Sequence, residues 1–255
     1  MEQQLNPFSL NGKTALITGG GTGLGYGIAK SFIESGAKVI IVGRREEVLK
    51  EAALSLGENC HYLSADLQET SRIPELITKI ESTFGSIDIL VNNAGNHLKK
   101  MAEDVTDEEF MSVVNLHVFA VFTLTREVIK SMKQRDGGSV LFLSSMTAIM
   151  GQGKVVAYSA SKTAILGMMR NLVVEYAQDN IRFNAIAPGW IESPMLHKAI
   201  DNDPPRKNRI LQRIPSGKFG DAADIGNAAV YLSSDAGKYV SGVLLPIDFG
   251  ASISF

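Results

Sequence analysis

Apolar positions along the chain fall into two alternating patterns. Short β-branched runs mark strands at Thr14–Thr18, Lys38–Val42, His61–Ala65, Ile87–Asn92, Ser139–Ser144, Arg182–Ala187 and Val243–Ile247. A run such as Val39-Ile40-Ile41-Val42 has no polar face, which suits a strand of a parallel sheet covered on both sides. Between the strands lie stretches of helical period. One runs from Gly23 to a stop at Gly36, and another follows Arg45. A third has Thr70 or Ser71 as its cap and Pro74 in its first turn. Long helices are expected over Asp107–Gln134 and Val156–Gln178, and a last one from about Asp221. This alternation predicts an α/β, doubly wound architecture, a seven-stranded parallel sheet with helices on both faces. No shift in composition marks a linker, so residues 1–255 are expected to form one domain. The least regular stretch, Trp190 to Gly220, carries Pro194, Pro204, Pro205 and Pro215 and is expected to be a substrate loop of about residues 190–220.

Composition changes this picture little. Hydrophobic residues make up 45% and charged residues 20%, with a net charge of −2. No basic stripe is present, so nucleic acid is not an expected partner. The start of the chain is polar and no apolar run is long enough for a bilayer, so no membrane partner is expected and the cytoplasm is the simplest location. Cys60 is the only cysteine and reads as a structural thiol in a strand. No cluster of Cys, His and carboxylates has metal-ligand spacing, so no metal is expected.

Chemistry enters at the first strand, which runs into Thr18-Gly19-Gly20-Gly21-Thr22-Gly23-Leu24-Gly25. A tight strand-to-helix turn needs positive φ angles, and a pyrophosphate needs close backbone approach. Glycine permits both, and the helix that follows directs its N-terminus at the anion. This is the context of a Rossmann-type dinucleotide site. The second strand ends Val42-Gly43-Arg44-Arg45, without the carboxylate that would repel a 2′-phosphate. Arginine favours that phosphate, so NADP(H) is expected to be preferred, with NAD(H) possible. Alternatively Arg44 and Arg45 are solvated residues at a helix start, and Glu46 and Glu47 would soften their field.

Further along, Tyr158 and Lys162 in Tyr158-Ser159-Ala160-Ser161-Lys162 share a helix face. A nearby ammonium should lower the phenol pKa from about 10, making Tyr158 a proton donor and acceptor near neutrality. Ser145 ends the strand Val140-Leu141-Phe142-Leu143-Ser144-Ser145, at the carboxyl edge where ligands bind in such sheets. Ser144 would face the other way.

Three ordered motifs, Thr-Gly-x-x-x-Gly-x-Gly at 18–25, Asn92-Asn93-Ala94-Gly95, and Ser145 with Tyr158 and Lys162, resemble the short-chain dehydrogenase/reductase family from Lys13 to Gly250. The resemblance implies an oxidoreductase acting on CH–OH groups, interconverting a secondary alcohol and a ketone. Ser145, Tyr158 and Lys162 would be its catalytic residues, and Asn115, in Val114-Asn115-Leu116, the fourth. There the asparagine interrupts a helix and holds a water behind the lysine; otherwise Asn115 is a locally bonded helix residue. Gly19, Thr22, Gly23, Leu24, Gly25, Arg44, Arg45, Asn93, Ala94, Gly95, Tyr158 and Lys162 would bind the cofactor. Asp66 and Leu67 would join them at the adenine, although Asp66 could equally cap its own loop. In Ala187-Pro188-Gly189-Trp190-Ile191, the residues Pro188, Gly189 and Ile191, with Ser193, would lie against the nicotinamide.

The substrate pocket is expected between Asn96, His97, Lys99 and Lys100, then Met146, Met150 and Gln152, and then Trp190, His197, Arg206 and Arg209. Several cations there could neutralise a carboxylate, though each alone could be solvated surface. The chain also resembles family members acting on sugar acids, such as gluconate 5-dehydrogenase and 2-deoxy-gluconate 3-dehydrogenase. The reading is a small-molecule sugar acid or other polar hydroxy acid. The rivals are a 3-oxoacyl-[acyl-carrier-protein] reductase and, from another class, a non-catalytic NADP-binding sensor or scaffold. The apolar segment Val240–Gly250 reads as an edge strand, and two long apolar helices offer pairing faces. Members of the family that the chain resembles are commonly tetramers built on such contacts, so the resemblance implies a homotetramer.

Overall fold

The computed structural model describes residues 6–193, 196–197 and 200–254. Pro194 and the first five residues of the polar N-terminal segment lie outside them. Seven strands form one sheet in the order β3-β2-β1-β4-β5-β6-β7, every neighbouring pair parallel. They are β1 (Thr14–Thr18), β2 (Lys38–Gly43), β3 (Cys60–Ser64), β4 (Ile89–Asn92), β5 (Gly138–Leu143), β6 (Ile181–Pro188) and β7 (Leu244–Ile247). The helices are α1 (Gly23–Glu34), α2 (Glu46–Leu56), α3 (Ile73–Phe84), α4 (Asp107–Val114), α5 (Val121–Met132), α6 (Val156–Tyr176), α7 (Pro204–Arg213) and α8 (Ala222–Ser233).

The unbroken apolar strands bury both faces. Leu16, Ile40, Leu90, Val140 and Phe183 pack in the cluster that includes α3, α5 and α6, while Ile17, Ile41, Val91, Leu141 and Ile186 pack in the cluster that includes α1 and α8. The strand order reverses between β1 and β4. The turn after β1 and the segment after β4 therefore open a crevice at the carboxyl edge.

Four local readings change. Neither Thr70 nor Ser71 caps α3; both lie in a 3₁₀ turn, Thr70–Arg72, that leads into it with Pro74 in the first turn. The stretch expected to be irregular contains α7, capped by Asp203, whose carboxylate accepts from the Arg206 N–H at 3.1 Å, with proline in the first turn. α4 and α5 join through a π-helical turn, Asn115–Ala120, into one helix Asp107–Met132. By length and composition alone this helix could cross a membrane, against the expectation from sequence. However, 61% of its most apolar window is buried inside the protein, as in a core helix.

Cys60 is buried against β2, and desolvation pushes its thiol up to about 11. It is an unreactive packing residue, as expected.

Candidate active site

The glycine turn is built by exclusion. Gly19 has a φ of +67°, and a side-chain carbon there would meet Asn93 Nδ2 at 2.9 Å and Ala94 Cα at 3.0 Å. One on Gly25 would collide with the Gly19 carbonyl. Thr18 ties this turn to the segment after β4. Its hydroxyl accepts from the N–H groups of Asn93 and Ala94, each at 3.0 Å, and Asn93 Nδ2 donates to the Thr18 carbonyl at 2.8 Å. Thr18 belonged to the motif but was not picked as a site residue; its inward-facing position at the end of β1 was the available signal.

Thr22 stands at the N-cap of α1 without bonding the helix through its side chain, so the first-turn N–H groups border the crevice with Gly23 and Leu24. Ser193 reaches the same turn, its Cβ 4.0 Å from where a Gly23 side chain would begin. At the tip of β2, the guanidinium of Arg44 lies 3.9 Å from the Asp66 carboxylate, so two residues assigned to the adenosine end are neighbours. Arg45 is the exposed N-cap of α2. Asp66 does cap its own loop, accepting from the Gln68 N–H at 3.0 Å, while Leu67 is buried beneath it. Pro188 ends β6. Gly189 packs against Asp248, and Ile191 bridges to Gly220.

Across the crevice, β5 and α6 bring Ser145, Tyr158 and Lys162 together. The Ser145 hydroxyl bonds the Tyr158 phenol and accepts from the Thr147 N–H and hydroxyl at 3.1 Å each. Thr147, which sequence reading passed over, therefore orients it. Ser144 bonds the backbone of α6 instead, donating to the Lys162 carbonyl at 3.1 Å. Lys162 is 4% exposed and donates from Nζ to the Leu143 carbonyl at 2.5 Å.

The electrostatics differ from expectation. Burial raises the Tyr158 phenol and the Ser145 bond pulls it back in part, whereas Lys162 itself is pushed down to about 7 by burial. The lysine charge does not dominate the tyrosine here; it is spent on Leu143 and held close to neutrality. A phenol and an amine thus sit with a hydroxyl at one point of the crevice, a set suited to moving a proton on and off a substrate oxygen.

The structure does not bring Asn115 into this group. It opens the π-helical turn with its side chain exposed. His117, two positions on, turns inward instead. It is 1% exposed and its ring meets the Tyr158 ring edge-on at 5.4 Å. His97 stacks on the other side at 4.7 Å. No motif singled out His117, because Leu116, Val118, Phe119, Ala120, Val121 and Phe122 are apolar all round the helix and leave its inward face unmarked.

Between the segment after β4, the turn after β5 and α7 opens a cleft of about 520 Å³. Lys99, Met150, Gln152, Trp190, Arg206 and Arg209 line it as expected, and Lys154, Asp203 and Arg213 join them. Its charge reaches the site, since Arg206 and Lys162 both add to the desolvation that lowers the His97 pKa. Lys100 is committed elsewhere, to Glu109 at 2.5 Å. His197 bridges Glu192 and Asp201 at 2.6 and 3.1 Å on the exposed loop instead of lining the cleft.

With the crevice and its proton-handling group described, the family follows. Residues 13–204 match the model of the short chain dehydrogenase family, and the chain belongs to that family, whose members act on CH–OH groups. It is 37% identical over 252 residues to a 3alpha-hydroxysteroid dehydrogenase of Mediterraneibacter gnavus, covering 95% of this chain and 98% of the relative. It is 39% identical over 246 residues to a 2-dehydro-3-deoxy-D-gluconate 5-dehydrogenase of Bacillus subtilis, covering 95% and 96%. Among solved structures it is similar to a gluconate 5-dehydrogenase of Burkholderia cenocepacia in complex with NADP and tartrate, with a TM-score of 0.94, 28% identity, and 99% and 100% of the two chains covered.

Proposed function

We propose that this protein is an NADP(H)-dependent dehydrogenase of a sugar acid or other polar hydroxy acid. The cation-lined cleft, whose Arg206 acts on the His97 ring stacked on Tyr158, carries that reading. Its walls present Lys99, Lys154, Arg206, Arg209 and Arg213 against the single carboxylate of Asp203, which is already capping α7. Five cations suit an anionic substrate and suit a steroid skeleton poorly, which favours one of the two relatives over the other. The neighbour carrying tartrate, a hydroxy acid, agrees.

The crevice fits a nicotinamide dinucleotide. Gly19 and Gly25 leave no room for side chains, and α1 offers its N-terminus to the pyrophosphate. Arg44 would hold the 2′-phosphate, Asp66 and Leu67 the adenine, and Pro188, Gly189, Ile191 and Ser193 the nicotinamide end. Asn93, Ala94 and Gly95 would form the opposite wall. When bound, NADPH supplies the hydride for the carbonyl carbon. Tyr158 then gives its proton to the developing alkoxide, Ser145 steadies that oxygen with a hydrogen bond, and Lys162 reprotonates Tyr158. Oxidation runs these transfers backwards.

The chain further fits a homotetramer. Phe119 and Phe122 on the helix Asp107–Met132, Val174 on α6, and Tyr239, Phe249 and Ile253 around β7 are exposed large apolar side chains. Light scattering should give four subunits; monomer at all concentrations would refute it.

The deciding experiment follows NADPH absorbance while keto-sugar acids, 3-oxo steroids and 3-oxoacyl thioesters are offered in turn. Turnover confined to the acids is expected. Turnover of only steroids or thioesters would replace the substrate reading, and tight NADPH binding with no turnover would favour a sensor.

A further inference from the structure

We propose that His117 is the positioning residue behind the Tyr158–Lys162 pair, fixing the Asn96 backbone through Nε2 and holding at Nδ1 a water through which Lys162 exchanges protons with solvent. The proposal rests on the dehydrogenase reading above and assigns to His117 a place that the sequence pattern gave to Asn115.

The backbone explains the exchange. A π-helical turn accommodates one residue more than an α-helical turn, and such turns are concentrated at functional sites. In the turn Asn115–Ala120 that extra residue leaves Asn115 on the exposed face and rotates His117 into the site. Gly95 makes room, because a side-chain carbon there would lie 2.5 Å from His117 Cε1.

The ring's bonding leaves one valence unused. Nε2 lies 3.1 Å from the Asn96 N–H and 3.0 Å from the Asn96 carbonyl oxygen. A neutral imidazole carries one N–H, so Nε2 either accepts from the first or donates to the second. In either tautomer Nδ1 retains one hydrogen-bonding capacity, and Nδ1 is buried with no partner among the described residues. A buried polar atom of this kind calls for a water or a ligand group.

The neighbours define what passes through it. Tyr158 and Lys162 face the ring from α6 and His97 from the segment after β4, with Arg206 acting on His97 from α7. Lys162 Nζ is 5.5 Å from the centroid of the Tyr158 ring that His117 also meets. Burial first and the Lys162 charge second push His117 down to about 3, so the ring stays neutral while protons move past it.

The transfers balance. After Tyr158 has protonated the alkoxide, its phenolate takes a proton from the Lys162 ammonium. The resulting amine takes one from the water at Nδ1, and that water recovers it from bulk solvent. Nothing is oxidised or reduced in these steps, and they reverse for alcohol oxidation.

Two measurements test this. In kinetics, H117A should lower kcat by roughly thirtyfold or more while NADPH affinity stays within about threefold. H117N, which retains a polar group able to reach Asn96, should recover to within about fivefold and raise the solvent isotope effect less than H117A. An unchanged kcat in H117A, or the large loss appearing in N115A in its place, would overturn the proposal. In ¹⁵N-histidine-labelled wild type, the His117 ring nitrogens should shift with a midpoint near that of Lys162, about 7, and the step should vanish in K162M. Flat signals across that range would overturn the proposal even if no substrate were turned over, whereas a Lys162-dependent step without any turnover would count against the dehydrogenase reading alone.

Discussion

The wall made by β5, α6 and the segment after β4 differs in kind from the cleft made by α7 and the loops facing it. In the wall short, buried hydrogen bonds hold the side chains: Lys162 on the Leu143 carbonyl, Ser144 on the Lys162 carbonyl, His117 Nε2 on Asn96. The cleft presents long side chains, among them the exposed Lys99, Lys154 and Arg209, on surface that water reaches. Moving a proton demands position to a fraction of an ångström, and burial enforces it. Attracting a carboxylate demands only sign and number of charges. Substitutions in the wall should therefore act on turnover and stability, and those in the cleft on substrate affinity.

The sharpest break would come from Tyr158. In Tyr158→Phe, kcat should fall about a thousandfold, since proton transfer alone is worth 10²–10⁴. NADPH affinity, followed by fluorescence, should stay within about threefold. A variant keeping a tenth of wild-type turnover would show that the wall does not carry the chemistry.

Gly25→Val tests whether exclusion, rather than mere turn geometry, shapes the crevice. Its side chain would strike the Gly19 carbonyl and the Asn93 amide, a clash of about 1–3 kcal/mol if the turn yields. NADPH affinity should drop by roughly a hundredfold at the high end of that cost, with Tyr158 untouched. Titration with wild-type affinity would mean that the turn has slack.

The wall should also register in stability against pH. His117 is held at about 3 in the folded chain and lies near 6.5 when unfolded. Between those values the unfolded chain takes up a proton that the folded chain refuses. This contribution is therefore full above pH 6.5 and is lost as pH falls, at no more than about 1.4 kcal/mol per unit. Urea midpoints at pH 6.5 and 5 should separate wild type from H117N by up to about 2 kcal/mol, wild type losing more. Parallel curves would mean that the folded chain does not shield the His117 ring from protonation.

Legibility from sequence follows the same division. The seven strands were readable because a parallel sheet buried on both faces leaves unbroken β-branched runs. The glycine turn was readable from backbone sterics and the Tyr158–Lys162 pair from helical period, whereas Ser145 joined them through its strand end and the serine-to-tyrosine spacing of the family that the chain resembles. His117 was not readable, since the π-helical turn shifts the phase of the helix within a run, Leu116 to Phe122, that is otherwise apolar on every face, so the shift left no polar stripe to read. α7 was hidden by its own prolines, although Asp203 followed by Pro204 is the signature of a helix start. The state of Lys162 was misjudged because a neighbour's charge was counted and the cost of burying that charge was not.

The smallest effect belongs to the cleft and sharpens the contrast most. Arg206→Gln and Arg209→Gln each remove one of five cations while leaving the wall intact. With a keto-sugar acid, KM should rise about tenfold per substitution, the worth of one charge-assisted bond partly exposed to water. kcat should stay within about twofold, because no group on the proton path has moved. Added salt should raise the wild-type KM and have less effect on the double variant, since screening acts on the charges already removed. A neutral hydroxy ketone of similar size should show no difference between wild type and variant. If kcat fell with KM, the arginines would be setting the position of the reacting carbon as well as its charge partner, and the cleft would have to be counted with the wall.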